Sequence, residues 1–358
     1  MKQGTTMQQL SSEVLRQAEL KRDFLADTAQ IEVRPLKAGV ELVLPADAGV
    51  GALEPTRLFH GQMAEWTGIP RAYYTRMLET APDLLATNAN RWLKDNRARR
   101  IVRVLDEPGK PVARAFLSDK YRPLDYLELA EAILPVFEEL PGLIFASTAL
   151  TPSRLYIKAT LPSVQAEVRV GEVVQAGVIV SDSEVGEGSI RAEPFIFTLA
   201  CKNGMTVAKG GMKRYHLGGR GLSDDGDVYE VLRDETRRAS DRALFLALQD
   251  VVRACLTDVG FAAIVDRLKE AAGEKIAKAP DAVCEVVQKR FRLAEAERSG
   301  LLKHLAAGGD LTRYGLVNAI TAMSQDVEDY DRATELERLG GVVLELPRSE
   351  WTSIAAEA

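Results

Sequence analysis

The chain is 358 residues long, 46% hydrophobic and 27% charged, with a formal net charge of -6 and a pI near 5.4. That is ordinary globular composition with room for one large domain or two, and no run approaches the roughly eighteen apolar residues that span a bilayer. The start, MKQGTTMQQLSSEV, lacks the apolar core of a signal peptide, so the expected location is the cytoplasm. Cys201, Cys255 and Cys284 are odd in number and widely spaced, which predicts reduced, mostly buried thiols and gives neither a disulfide framework nor a CxxC metal clamp.

Residues 11–26 predict an amphipathic helix carrying Val14, Leu15, Leu20 and Phe24, with Ser11 or Ser12 as N-cap. Ile31, Val33 and Leu36, then Val40, Leu42 and Leu44, predict a hairpin turned at Lys37-Ala38-Gly39. From Glu54 the period is helical as far as Trp66. Gly68-Ile69-Pro70 ends that helix and begins another, bearing Tyr73, Tyr74 and Met77, aromatics that at helical spacing are more often core than base platforms. A basic segment follows, with Arg97, Arg99, Arg100, Arg103, Arg114, Lys120 and Arg122. NRARRIVRVL and VARAFLS predict paired strands across the turn Glu107-Pro108-Gly109-Lys110, with Arg99, Ile101 and Arg103 on one face.

Residues 125–140 predict a helix, 143–150 and 154–160 two strands, the second with Arg154, Tyr156 and Lys158 on one face. VVQAGVIV at 173–180 is the most hydrophobic strand and belongs in the middle of the sheet. The connection after it holds Asp182, Glu184 and Glu187. These could ligate a divalent cation, although carboxylates in a glycine-rich loop usually face water.

The stretch 189–222 is the part around which the rest is organised. Phe195, Phe197 and Leu199 alternate with Ile196 and Ala200 as in a strand, which runs into a glycine-rich loop where every charge is positive: Lys202, Lys209, Lys213, Arg214 and Arg220. Glycines let a backbone approach a polyanion, and cations supply the attraction. No Gly-Lys-Ser or Gly-Lys-Thr closes the loop, so it is no nucleotide-binding P-loop. Beyond Asp224-Asp225-Gly226 the pattern is helical: one long helix over 228–258, then four or five more broken at Gly260, Gly273, Ala279-Pro280 and Gly308-Gly309, ending near Gly340-Gly341 before a short VVLEL strand or tail.

The expected fold is α+β: an N-terminal mixed or antiparallel sheet with helices, followed by an all-helical C-terminal region. It divides into 1–90, a helical and hairpin region; 91–222, a sheet-rich core with the basic loop; and 223–358, the helical part. His60, His216 and His304 stand at no metal-site spacing and G-x-S-x-G is absent, so no catalytic residue, metal or cofactor is expected.

Several segments together resemble the phage and plasmid family of the domain of unknown function numbered 932. They are Gly68-Ile69-Pro70 with Tyr73-Tyr74, Ser118-Asp119-Lys120-Tyr121-Arg122-Pro123-Leu124, Cys201-Lys202-Asn203-Gly204, Tyr314-Gly315-Leu316-Val317-Asn318-Ala319-Ile320-Thr321, Glu335-Leu336-Glu337-Arg338-Leu339-Gly340-Gly341, and Glu350-Trp351. The resemblance implies a role in the DNA metabolism of a mobile element, and by analogy a likeness to Rad52-like single-strand annealing proteins, which assemble into rings. The expected function is therefore binding and annealing of single-stranded DNA by an oligomer during recombination, without catalysis, with Arg97, Arg99, Arg100, Arg103, Arg114, Lys120, Arg122, Arg154, Lys158, Lys202, Lys209, Lys213, Arg214 and Arg220 expected to hold phosphates. Its expected partners are single-stranded DNA, further copies of the chain, and an exonuclease or single-strand-binding protein, with no membrane. The alternatives are a protein-interaction module acting against host defence or in regulation, and a metal-dependent nuclease using Asp182, Glu184 and Glu187.

Overall fold

The computed structural model describes residues 1–122, 124–214 and 234–356. The first helix, α1 (Met7–Leu20), opens on a capping box in which Thr6 and Gln9 satisfy each other's backbone donors. It stops well before Ala26, contrary to the expected span. Phe24 lies on a strand, β1 (Lys21–Asp27), which pairs residue for residue with β5 (Arg99–Leu105), from Lys21 opposite Leu105 to Asp27 opposite Arg99. KRDFLAD suits either period, and the ladder with β5 decides it.

The hairpin β2 (Glu32–Pro35) and β3 (Val40–Val43) forms as expected, and β4 (Glu54–Pro55) leads into α2 (Arg57–Thr67), whose N-cap is Thr56 and whose C-cap is the left-handed Gly68. Helices α3 (Arg71–Thr80) and α4 (Pro82–Asp95) follow, then β5 and β6 (Val112–Ser118) as an antiparallel pair. The first sheet has the order β1-β5-β6-β4, with β4 parallel to β6. Phe59, Met63, Leu85, Leu93, Val102, Val104 and Phe116 form the core beneath it.

Helix α5 (Tyr126–Glu138) connects to the second, antiparallel sheet: β7 (Ile144–Leu150), β8 (Leu155–Arg169), β9 (Glu172–Asp182), β10 (Ile190–Thr198) and β11 (Asn203–Thr206), in the order β11-β10-β9-β8-β7. The segment β12 (Met212–Arg214) pairs with the start of β10, on the same outer side as β11. Both faces of this sheet are covered. Leu155, Ile157 and Ala159 enter the main core, while Tyr156 and Lys158 point the other way, towards Tyr330 and Glu337. Burial on both sides is why β9 reads as an unbroken apolar run and why it lies centrally.

The helical part comprises α6 (Asp234–Cys255), α7 (Asp258–Gly273), α8 (Pro280–Phe291), α9 (Glu295–Gly308), α10 (Arg313–Met323), α11 (Tyr330–Leu344) and α12 (Arg348–Ala355). Two expected breaks move. Thr257 caps α7, so Gly260 sits inside its first turn, and α11 runs straight through Gly340-Gly341, making VVLEL no strand. The architecture is α+β, with N-terminal strands and helices, a central antiparallel sheet and a C-terminal region of helices. Among the described residues no helix is long and apolar enough to cross a membrane.

Candidate nucleic-acid interface

The cations of the basic segment divide sharply by environment. Arg103 has no exposed side-chain surface: it grips Asp23 with two hydrogen bonds of 2.8 and 2.6 Å, reaches Asp125 at 3.1 Å and donates to the Glu184 carbonyl at 2.8 Å. Arg114, one strand over, donates to the Glu184 carboxylate at 2.6 Å, and Lys21 pairs with Asp125 beside them. Lys158 is equally buried, 2.6 Å from Glu337 and 4.7 Å above the Tyr330 ring. Arg103, Arg114 and Lys158 are corrections to the expected phosphate contacts, because a cation buried with its own counterion cannot meet a nucleic-acid backbone. Each binds one layer of the fold to another.

The acidic connection is corrected too. Asp182, Ser183 and Glu184 are buried and do not face water; only Glu187 of the three carboxylates is exposed. Glu184 accepts from Arg114 and from the Tyr126 backbone N–H at 3.2 Å, with Lys21 and Arg103 each 3.8 Å away. A divalent ion would find that carboxylate surrounded by protein cations. Among the described residues no His, Cys, Asp and Glu side chains gather in a set able to hold a metal.

A second class of cations is partnered at the surface. Arg97 donates to Asp27 at 2.7 Å, Arg122 chelates Asp241 across to α6, and Arg154 donates to the Glu187 carbonyl. Lys202 turns the chain in the left-handed region at φ 54° and its carbonyl accepts from the Met1 amine at 2.7 Å, leaving its side chain exposed. Arg99, Lys120, Lys209, Lys213 and Arg214 are exposed as well. Lys209 sits apart, beside Cys255 and Ile264 of α6 and α7. Arg220 and His216 lie outside the described residues.

Arg100 belongs to neither class. Its guanidinium lies 4.7 Å from the centroid of Trp66 and 4.8 Å from that of Phe116, and it donates to the Phe116 carbonyl at 3.0 Å. Burial pulls it below its ordinary pKa, with Asp119 and Glu65 opposing, and as an arginine it keeps its charge. With Trp66 and Tyr121 it borders a groove of about 550 Å³ between the end of the first sheet and the connection 186–188. Gly186 makes the close approach possible: at φ 85° it is in the left-handed region, and a Cβ there would lie 2.6 Å from the Leu117 side chain.

The same connection carries the line of cations onward. Arg154 crosses to Glu187, Arg191 follows with Nε 3.0 Å from Ser189 Oγ, and β12 places Lys213 directly opposite Arg191 and Arg214 opposite Ile190. The structure thus places Arg154 and Arg191 at one end of the second sheet with Lys213 across from Arg191, while Arg214, across from the core residue Ile190, stands on the opposite face. Glu187 borders both this end and the groove, which Arg100 and Glu65 line. Sequence reading missed Trp66 and Tyr121 as groove residues and left out Arg191. A strand reading of SIRAEPF, with β12 folded back upon it, was the available signal for the last. Comparison of the chain with family profiles, curated proteins and solved structures returns no significant match.

Proposed function

We propose that this chain binds single-stranded DNA without cleaving it, acts as an oligomer, and brings complementary strands together. The observation that carries the reading is the set of cations at one end of the second sheet, Arg154, Arg191 and Lys213, next to the aromatic-walled groove that holds Arg100. Sequence-neutral binding of single strands needs a basic path for the phosphates and flat side chains for the bases. The likeness of several segments to the mobile-element family of domain 932, and through it to Rad52-like annealing proteins, supports the same reading and adds the oligomer. A second reading has its own support. β12 is an outer strand, and lysines on such strands block unwanted strand addition, which would leave Lys213 and Arg214 incidental in a protein-interaction module.

Titration of a labelled oligo(dT) at rising salt separates the two. The expected result is an affinity that falls steeply with salt and drops about tenfold or more in a Lys120→Glu, Lys213→Glu, Arg214→Glu variant of unchanged circular dichroism. Complementary strands should pair faster with the protein than alone and remain intact with magnesium. Wild-type affinity in the charge-reversed variant would favour edge protection.

A further inference from the structure

We propose that the groove bordered by Trp66, Arg100 and Tyr121 seats one nucleotide of a single strand, its base laid against the Trp66 and Arg100 side chains and its phosphate drawn to the guanidinium. This deepens the single-strand reading and rests on it. The volume, about 550 Å³, lies within the range of sites for small organic ligands. The walls mix apolar surface from Phe116 and Leu117 with the polar side chains of Gln62 and Ser118.

Arg100 supplies the decisive feature. Other arginines drawn into the fold each hold a carboxylate: Arg103 has Asp23, Arg114 has Glu184 and Arg313 has Glu274. Among the described residues no carboxylate stands within ion-pair reach of Arg100, whose one protein acceptor is the Phe116 carbonyl. Its Nε is buried without an acceptor, and so is Nε1 of Trp66, the ring against which it lies. A half-buried guanidinium with no carboxylate in ion-pair reach is under-compensated in the empty protein, and an anionic ligand at its exposed part would relieve that. Arginine planes and indole rings are also the surfaces on which unpaired bases stack.

The rim limits what enters. Glu65 and Glu187 line it and Asp119 acts on Arg100 from near by, so a phosphate is attracted only where it reaches the guanidinium itself, and a double helix, whose bases are stacked inside, offers no face to the groove. One unstacked nucleotide brings a flat apolar face and a single phosphate.

The test uses oligo(dT), an abasic strand of equal length and thymidine 5′-monophosphate. Wild-type protein is expected to prefer oligo(dT) to the abasic strand by about tenfold or more. Trp66→Leu should erase that preference by weakening oligo(dT) alone, and Arg100→Gln should erase it while also weakening the abasic strand through the lost phosphate contact, whereas Lys213→Glu with Arg214→Glu should weaken both strands and keep the preference. In a Trp92→Phe background the monophosphate should quench tryptophan emission, and Arg100→Gln should abolish the quenching. If Trp66→Leu fails to fold, Arg100→Gln decides. Full oligo(dT) preference in Arg100→Gln overturns the groove and leaves the single-strand reading standing. Quenching by the monophosphate without oligo(dT) binding overturns that reading and keeps the groove. Neither effect in the wild type overturns both.

Discussion

Lys158 and Glu337 have no solvent-exposed side-chain surface, so neither charge has water to fall back on. Thr334 Oγ1 at 3.2 Å and the Tyr330 ring complete the shell around the ammonium. Glu337→Ala should therefore cost about 3–5 kcal/mol in urea unfolding, whereas Lys158→Met with Glu337→Leu should recover most of the loss, because the penalty belongs to the stranded charge. An equal loss in the double variant would mean that packing, not charge, holds the site. From the sequence, alternation placed Lys158 with Tyr156 on one face correctly, but a period of two cannot say which face another helix covers. His60 carries a second prediction. Burial holds it down to about 4, with Nδ1 3.0 Å from the Tyr74 hydroxyl. The unfolded state binds the proton first, so this contribution is complete above about pH 6.5 and is lost as pH falls towards 4, by up to roughly 3 kcal/mol. His60→Gln should flatten the stability profile in that window; an unchanged slope would show the ring to be solvated.

At the scale of elements, α11 shows how a glycine pair can serve packing and not termination. A Cβ on Gly341 would lie far inside van der Waals contact with the Thr206 carbonyl oxygen, and one on Gly340 would collide with Thr321. The helix uses both glycines to lie close against β11 and α10, which a reader of single residues takes for a break. Gly341→Ala should lower stability by about 1–3 kcal/mol through overpacking. Gly273→Ala, at the end of α7 with nothing within 4 Å, should be neutral or stabilise by about 0.4–1 kcal/mol. Thermal unfolding of the two variants side by side checks this, and equal shifts would refute the packing argument. Strong periodicity made β5, β6, β9 and α5 legible beforehand. The end of α1 was not, since Phe24 continues an apolar spacing that the β5 ladder then captures.

For the whole molecule, the decisive feature is that two apolar cores meet across charge. The first holds Phe59, Leu85, Val102 and Phe116; the larger holds α5, the second sheet and the helices beyond. Arg103 and Arg114 come from the first sheet, Glu184 and Asp125 from the segments flanking the second, and Lys21 from the start of β1. None of these partners is near another in sequence except Lys21 and Asp23, which is why the arginines read as surface cations and the acidic connection as a turn. Ion pairs at such a junction lose much of their attraction to desolvation but are severely unbalanced when one member goes. Glu184→Ala removes the acceptor of Arg114 and leaves it enclosed beside Arg103 and Lys21, so it should cost about 3–5 kcal/mol, concentrated where the cores join. Hydrogen exchange should then show β1, β5 and β6 opening at lower free energy than β8, β9 and β10, and urea unfolding should resolve into two transitions. The groove should report the same event, because its wall at 186–188 belongs to one side of the junction and Trp66 and Arg100 to the other. Trp66 emission should shift to the red in the first transition. A single transition with uniform loss of protection would mean that the two cores fold as one unit and that Glu184 is merely one buried group among many.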